Sequence, residues 1–519
     1  MKQKNARTNH AARQSWFAAV VFSVCAWALP VAGAQPLDTR VAETFNQVSD
    51  DPVLLRVFLR DMPKGGDLHN HASGTPYAEE YLDWADARDF CVTADPARIS
   101  LPPCNDPGEE TAVDLEWRNP QLYEQAINSL SVKEMLEGVD NGHTGHNQFF
   151  STFRKFDAIV RAEPGKTLAS VKQLAAADNV SYVELMFNPR TVDKYFSQVV
   201  DPDWNSDDLE AAFKRFEPEI EALVQTAIRE HDQTETEANQ ILKCGTPQEE
   251  PGCDVTVYYN MYGLRRFPNE QLFRQLVLGF AIIEADPRFL GISLVEPEDD
   301  SRAVQNYDLH MEMIAFLDKK YPTARISLHA GELTLGLAPA YALRSHIKDA
   351  IEVAGSERIG HGIDIAWELD SRETLKRMAR EKIAVEINLT SNDVILGIKG
   401  KDHPLNLYRA SGVPIVLSTD DQGVLRTDMT EQYVRAAREH GLEYADLKEA
   451  ARNSLEYSFL PGESIWEPGE VGAHSAACPS PGTRQCHDLV MTSPKAALQH
   501  KLETDFIQFE QDILGWEFQ

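Results

Sequence analysis

Short runs rich in β-branched and aromatic residues alternate along this 519-residue chain with longer stretches whose apolar positions recur at helical spacing. Eight of the short runs read as strands, at about residues 66–71, 180–187, 255–262, 289–295, 325–329, 358–361, 383–388 and 414–418. Strands separated by helical stretches predict repeated βα units around a parallel sheet, and eight such units predict a (β/α)8 TIM barrel. The barrel pattern fills residues 62–519, behind an N-terminal extension at 35–61. Three stretches interrupt it as insertions: 78–134, rich in Pro, Asp and aromatics; 191–254, with a helical pattern at 207–230 and a turn-rich loop; and 462–489, dense in Gly, Pro and Ser. Residues 495–514 read as a C-terminal amphipathic helix.

The first forty residues change the expected compartment. Lys2, Lys4, Arg7 and Arg13 precede an apolar run at 16–31 and the small residues Ala32, Gly33 and Ala34, the layout of a signal peptide cleaved after residue 34. An uncleaved membrane anchor is the alternative, against which the shortness of the apolar run argues. Cys25 is poorly flanked for lipoprotein processing. The expectation is an exported protein, periplasmic or secreted, with no membrane association once the signal is removed. Six cysteines then remain in sequence-local pairs, Cys91 with Cys104, Cys244 with Cys253 and Cys478 with Cys486, one pair in each insertion. An even set of loop cysteines in an exported chain argues for disulfides, although spacing alone does not fix connectivity.

Composition is that of a globular enzyme, 43% hydrophobic and 25% charged. Without the four basic residues of the signal, 46 Lys plus Arg stand against 81 Asp plus Glu, near −35. A field of that sign repels phosphate backbones, which argues against nucleic acid as a partner and is compatible with a neutral or cationic small substrate.

Candidate chemistry sits where strands end. GDLHNH (66–71), LHAGE (328–332), RIGHG (358–362), INLTSN (387–392) and LSTDD (417–421) close predicted strands one, five, six, seven and eight, and the carboxyl ends of barrel strands form the active face. His69 and His71, at alternate positions of one strand, point to the same side. With His329, His361 and Asp420 they supply nitrogen and oxygen ligands of the kind a catalytic zinc uses, and such an ion makes bound water acidic enough to yield a nucleophile near neutral pH. Two-metal barrels usually bridge their ions with a lysine at the end of strand four, and GISLVEPEDD (291–300) has none. One zinc per chain is therefore expected, with iron or manganese as alternatives.

The ordered set HNH, HAGE, RIGHG, LTSN and STDD resembles the adenosine deaminase family of the amidohydrolase superfamily, over about residues 62–460. PKGGDLHNH, RNSLEYSFL (452–460) and the signal look like its exported, growth-factor-related branch. The resemblance implies zinc-dependent hydrolytic deamination of adenosine, and of 2′-deoxyadenosine, with His69, His71, His329 and Asp420 as metal ligands. Glu332, one turn past His329, would protonate ring nitrogen one, a role that needs a neutral carboxyl. His361 would orient the attacking water, with service as a further nitrogen ligand as its alternative, and Asp421 would contact purine nitrogen seven. Ser391 and Asn392 more plausibly shape the rim of strand seven than perform chemistry.

Two departures from the family pattern touch substrate recognition. Ser73 stands where the compact members carry a sugar-binding Asp, and Glu296 where they carry a Gly whose amide meets the purine; Glu296 could bind ribose hydroxyls in compensation. Another amino-purine or modified purine nucleoside is the alternative substrate. A barrel hydrolase of other specificity would have no evident use for Glu332 beside Asp420 and Asp421, and a non-catalytic binding protein would be expected to lose ligands that this chain retains. The insertions could add a binding function such as homodimerisation.

Overall fold

Eight parallel strands follow one another in chain order around a single sheet: β1 (Gly65–His71), β2 (Val180–Met186), β3 (Thr256–Leu264), β4 (Phe289–Val295), β5 (Arg325–Ala330), β6 (Arg358–His361), β7 (Ala384–Ile387) and β8 (Ile415–Leu417). The computed structural model describes residues 37–515 apart from 95, 137, 139–142, 194–201 and 481. The expected signal at 1–34 and Cys25 lie outside these residues. Between β1 and β8 the sheet is joined by two backbone hydrogen bonds, Asp420 N–H to the His69 carbonyl (2.9 Å) and His71 N–H to the Asp420 carbonyl (3.1 Å). The result is the expected (β/α)8 architecture. Its strands are buried on both faces, which is why they read as short apolar runs rather than alternating ones.

Outside the barrel, a second hydrophobic cluster gathers Tyr81, Val92, Ile99, Leu122, Phe149 and Phe156 with Ile395 and Val424 of the barrel loops. It contains a small antiparallel sheet (Ala97–Ser100, Cys91–Ala94, Glu109–Thr111) and continues past residue 134 into α1 (Gly145–Ala162). Further on, α2 (Leu209–Ile241) runs 33 residues with Pro218 inside it. It outlasts the helical stretch expected at 207–230 because Val224, Ala227, His231, Thr234 and Ala238 keep one face buried.

The LTSN motif departs from expectation. It lies on α3 (Leu389–Leu396), entered directly from β7, with Thr390, Ser391 and Asn392 all buried. Behind β8, α4 (Tyr444–Glu456) carries the start of RNSLEYSFL. There Asn453 Nδ2–H donates to the Ile415 carbonyl (3.0 Å) and the Ser454 hydroxyl accepts from Gly66 N–H (2.6 Å), so this segment braces β1 and β8 together. The C-terminal helix α5 (Pro494–Ile513) packs on α4.

Disulfides join Cys91 to Cys104, Cys244 to Cys253 and Cys478 to Cys486. Among the described residues no helix is long and apolar enough to cross a membrane. Both facts are compatible with an extracellular protein.

Candidate active site

Five side chains are delivered to one end of the barrel by strand termini. His69 and His71 come from β1, His329 from β5, His361 from the last position of β6, and Asp420 from three residues beyond β8. His361 (φ 67°), Asp420 (φ 63°) and Glu296, one residue past β4 (φ 77°), are non-glycine residues in the left-handed region. That conformation is costly for L side chains and clusters at functional sites. Space is equally constrained: a Cβ on Gly74 would lie 1.6 Å from Asp421 Oδ1, and one on Gly360 2.7 Å from His69 Cε1.

His71 Nε2 stands 3.2 Å from His329 Nε2 and 3.2 Å from Asp420 Oδ1, and His69 Nε2 lies 3.6 Å from that same oxygen. His69 Nε2 is buried and has no hydrogen-bond partner. The ligand-type atoms of His69, His329, His361 and Asp420 lie within 4.8 Å of one another, and so do those of His71, Asp420 and Asp421. Burial and then the neighbouring imidazoles hold His329 well below the usual histidine range. Burial alone would raise the Asp420 carboxyl, yet the His71 hydrogen bond and the surrounding imidazoles keep it well below the usual carboxylate range. Imidazoles converging on one carboxylate, with an orphaned buried nitrogen among them, fit a divalent cation. The expected ligand set is thus brought together.

What fixes these ligands was not assigned from the sequence. His69 Nδ1 meets Glu386 Oε2 at 2.7 Å, and His329 Nδ1 meets Ser293 Oγ at 3.1 Å. With Nδ1–H committed to a carboxylate, His69 Nε2 is left with its lone pair free. Arg358, buried in the barrel bore, donates to Glu386 (2.6 Å) and Glu184 (2.5 Å). Burial alone would raise Glu386, but Arg358 and His69 bring it down to about 2.

A second relay settles the tautomer of His361. Leu405 N–H donates to His403 Nδ1 (3.1 Å), so His403 carries its proton on Nε2 and donates to Asn392 Oδ1 (3.1 Å). The Asn392 amide is thereby oriented to donate from Nδ2 to His361 Nδ1 (3.0 Å). His361, kept neutral because burial lowers it to about 3, therefore holds its proton on Nε2. In that tautomer His361 Nε2, which is buried without a hydrogen-bond partner, is a donor at the edge of the cluster. Asn392, read from the sequence as a rim residue, is thus in contact with His361.

Glu332 reaches the site through a turn at Gly331 (φ 75°), a departure from the helical turn implied by its spacing from His329. Glu298 holds that turn: its carboxylate accepts from Gly331 N–H (3.1 Å) and Glu332 N–H (2.9 Å) and meets His346 Nδ1 at 2.6 Å. Burial, then the negative charge of Asp420, pushes the Glu332 carboxyl well above its usual range. Asp421 is raised likewise, by burial and Asp420, and its Oδ1 is buried without a partner. His71, Ser73, Glu296, His329, Glu332, His361, Asp420 and Asp421 all line one cavity of about 740 Å³, within the ordinary range for small-molecule sites. Glu296 is partly committed, since its Oε2 accepts from Arg266 N–H (3.0 Å).

Residues 264–465 match the adenosine deaminase family. The adenosine deaminase of Clostridium perfringens is 28% identical over 185 residues, 36% of this chain and 52% of the relative, so the chain spans about half the length of that protein. The adenosine deaminase of Vibrio atlanticus is 28% identical over 362 residues, 68% of this chain and 90% of the relative. In fold, the barrel is similar to an adenine deaminase from Arthrobacter aurescens (TM-score 0.54, 16% identity, 86% of this chain and 99% of that one). It is also similar to a zinc-bound amidohydrolase from Burkholderia ambifaria (TM-score 0.54, 15% identity, 89% of this chain and 95% of that one). Residues 264–465 are thus similar to the adenosine deaminase family, on a barrel whose fold is similar to those two neighbours.

Proposed function

We propose that this protein is a zinc-dependent deaminase that converts adenosine, and 2′-deoxyadenosine, to the corresponding inosine and ammonia outside the cytoplasm. The observation that carries this reading is a buried carboxyl, Glu332, which burial pushes above its usual range, lining one cavity with His71, His329, His361 and Asp420. His69, His71, His329 and Asp420 would hold the ion, whose contribution when bound is to lower the pKa of water toward neutrality.

Glu332, protonated, donates to purine nitrogen one, so that the ring accepts electrons when water adds at carbon six. His361, with its proton on Nε2, donates a hydrogen bond to the attacking oxygen and steadies the charge that develops there. Purine nitrogen seven is an acceptor, so a group that contacts it has to carry a proton. The raised Asp421 carboxyl meets that need. Adjacent Asp420 and Asp421 thus divide their duties, one ionised toward the metal and one neutral toward the base. The expected signal peptide and the PKGGDLHNH and RNSLEYSFL segments favour the exported, growth-factor-related branch.

The test is the ultraviolet absorbance change when zinc-loaded protein meets adenosine. Conversion to inosine is expected for the wild type, with Glu332→Gln slower by about 10²–10⁴-fold. Full activity in that variant would remove Glu332 as the proton donor.

A further inference from the structure

Four arginines, Arg154, Arg161, Arg266 and Arg302, line the cavity that holds the candidate catalytic groups. They do so in a chain whose formal net charge is −31. Two are neutralised on the spot: Arg161 Nε donates to both oxygens of Asp157 (2.7 and 2.8 Å), and Arg266 Nε donates to Asp300 (3.1 Å). The other two are not. Arg302 donates to the Arg266 carbonyl (2.9 Å) and forms no ion pair among the described residues, and Arg154 forms neither a hydrogen bond nor an ion pair there. Both are exposed, so they belong to the mouth of the cavity and not to its floor. They come from separate elements, α1 and the short helix Ser301–Gln305.

The acidic groups of the same wall do not cancel this charge. Asp157 is taken by Arg161, and Glu296 is tied to the Arg266 amide. Asp193 lies deeper, where burial lifts its carboxyl to about 6, and its Oδ1 is buried without a hydrogen-bond partner. The cavity therefore presents the buried metal-type cluster with Glu332 and Asp421, an unpartnered oxygen suited to a hydroxyl donor, and two exposed guanidinium groups without counter-ions among the described residues. Guanidinium pairs with phosphate through two parallel N–H donors, which adds direction as well as charge.

We propose that the cavity also takes the 5′-phosphorylated form of its purine nucleoside, and takes it in preference to the nucleoside itself, with Arg154 and Arg302 holding the phosphate and Asp193 accepting a sugar hydroxyl. This rests on the reading that the cluster end takes the purine ring. Uncharged nucleosides reach the same floor but make no ion pair with the two guanidinium groups.

The experiment compares kcat/KM for adenosine 5′-monophosphate and adenosine in the wild type and in an Arg154→Gln, Arg302→Gln double variant whose melting temperature is matched to the wild type. Alongside it, calorimetric titration measures binding of the products inosine 5′-monophosphate and inosine. The expected result is a tenfold or greater preference for the nucleotide in both measurements, falling by tenfold or more in the double variant. Preference for adenosine, or a nucleotide-to-nucleoside ratio unmoved by the two substitutions, overturns the phosphate site while leaving the deaminase reading intact. If neither compound is converted, the deaminase reading fails and the titrations decide: tighter nucleotide binding lost in the double variant sustains the phosphate site, and equal binding ends it.

Discussion

Asn392 would act on the proposed chemistry through another side chain. It hands His361 a hydrogen bond at Nδ1 and so places the proton at Nε2, and a neighbour that orients a site histidine in this way is typically worth 10–100-fold in activity. Asn392→Leu is expected to lower kcat by that range with KM little changed, and nitrogen NMR of His361 should show a mixture of tautomers. An unchanged tautomer and rate would sever the relay from function. Asp193 gives a pH signature. Its folded carboxyl titrates near 6 because of burial, above its ordinary value of 3.8. The folded state thus holds more protons than the unfolded chain between those values, and stability falls as pH rises through that window. Above pH 6 the loss is about 3 kcal/mol, so Asp193→Asn should melt higher than the wild type at pH 7.5 and not at pH 4. The histidines, Asp420 and Glu332 were legible as residues because each closes a strand inside a motif. Glu298, Glu386 and Arg358 were not: His346, Glu332, His69 and Glu184 meet them only across the barrel.

Strands were the most legible elements, since burial on both faces leaves a dense apolar run. α3 was hidden for a related reason. Leu389, Thr390, Ser391, Asn392 and Ile395 are all buried, so the helix shows no amphipathic stripe, and its first turn reads as the tail of a strand. Left-handed Glu296, His361 and Asp420 were invisible because none is glycine. Gly74, in contrast, can be tested directly. The loop after β1 passes so close to Asp421 that an added methyl would sit 1.6 Å from its Oδ1. Gly74→Ala is expected to cost about 1–3 kcal/mol and to weaken purine binding by displacing Asp421. A melting curve and a product-inhibition constant that both match the wild type would show that the loop can yield.

At the scale of the whole molecule, the barrel followed from counting eight alternating units. The second hydrophobic cluster did not, because its members stretch from Ala78 to Ile159 and include barrel-loop residues as distant as Leu425. Any ion bound by His69, His71, His329 and Asp420 binds only the folded chain, so it stabilises by mass action, by about 2.7 kcal/mol when free metal is a hundred times Kd. Zinc should raise the melting temperature of chelated protein and His329→Ala should abolish the rise. A zinc response that survives in that variant would place the ion elsewhere.

The seam between β1 and β8 has a temporal consequence. The backbone atoms that close it belong to His69, His71 and Asp420, so the residues that zip the cylinder shut are those that would grip the ion. More than three hundred residues separate them, and closing so long a loop comes late in folding. No half-built intermediate can offer the complete set of donors. Capture of an ion by the full set would therefore be an event of the finished cylinder, with the ion drawn from whichever compartment the chain folds in.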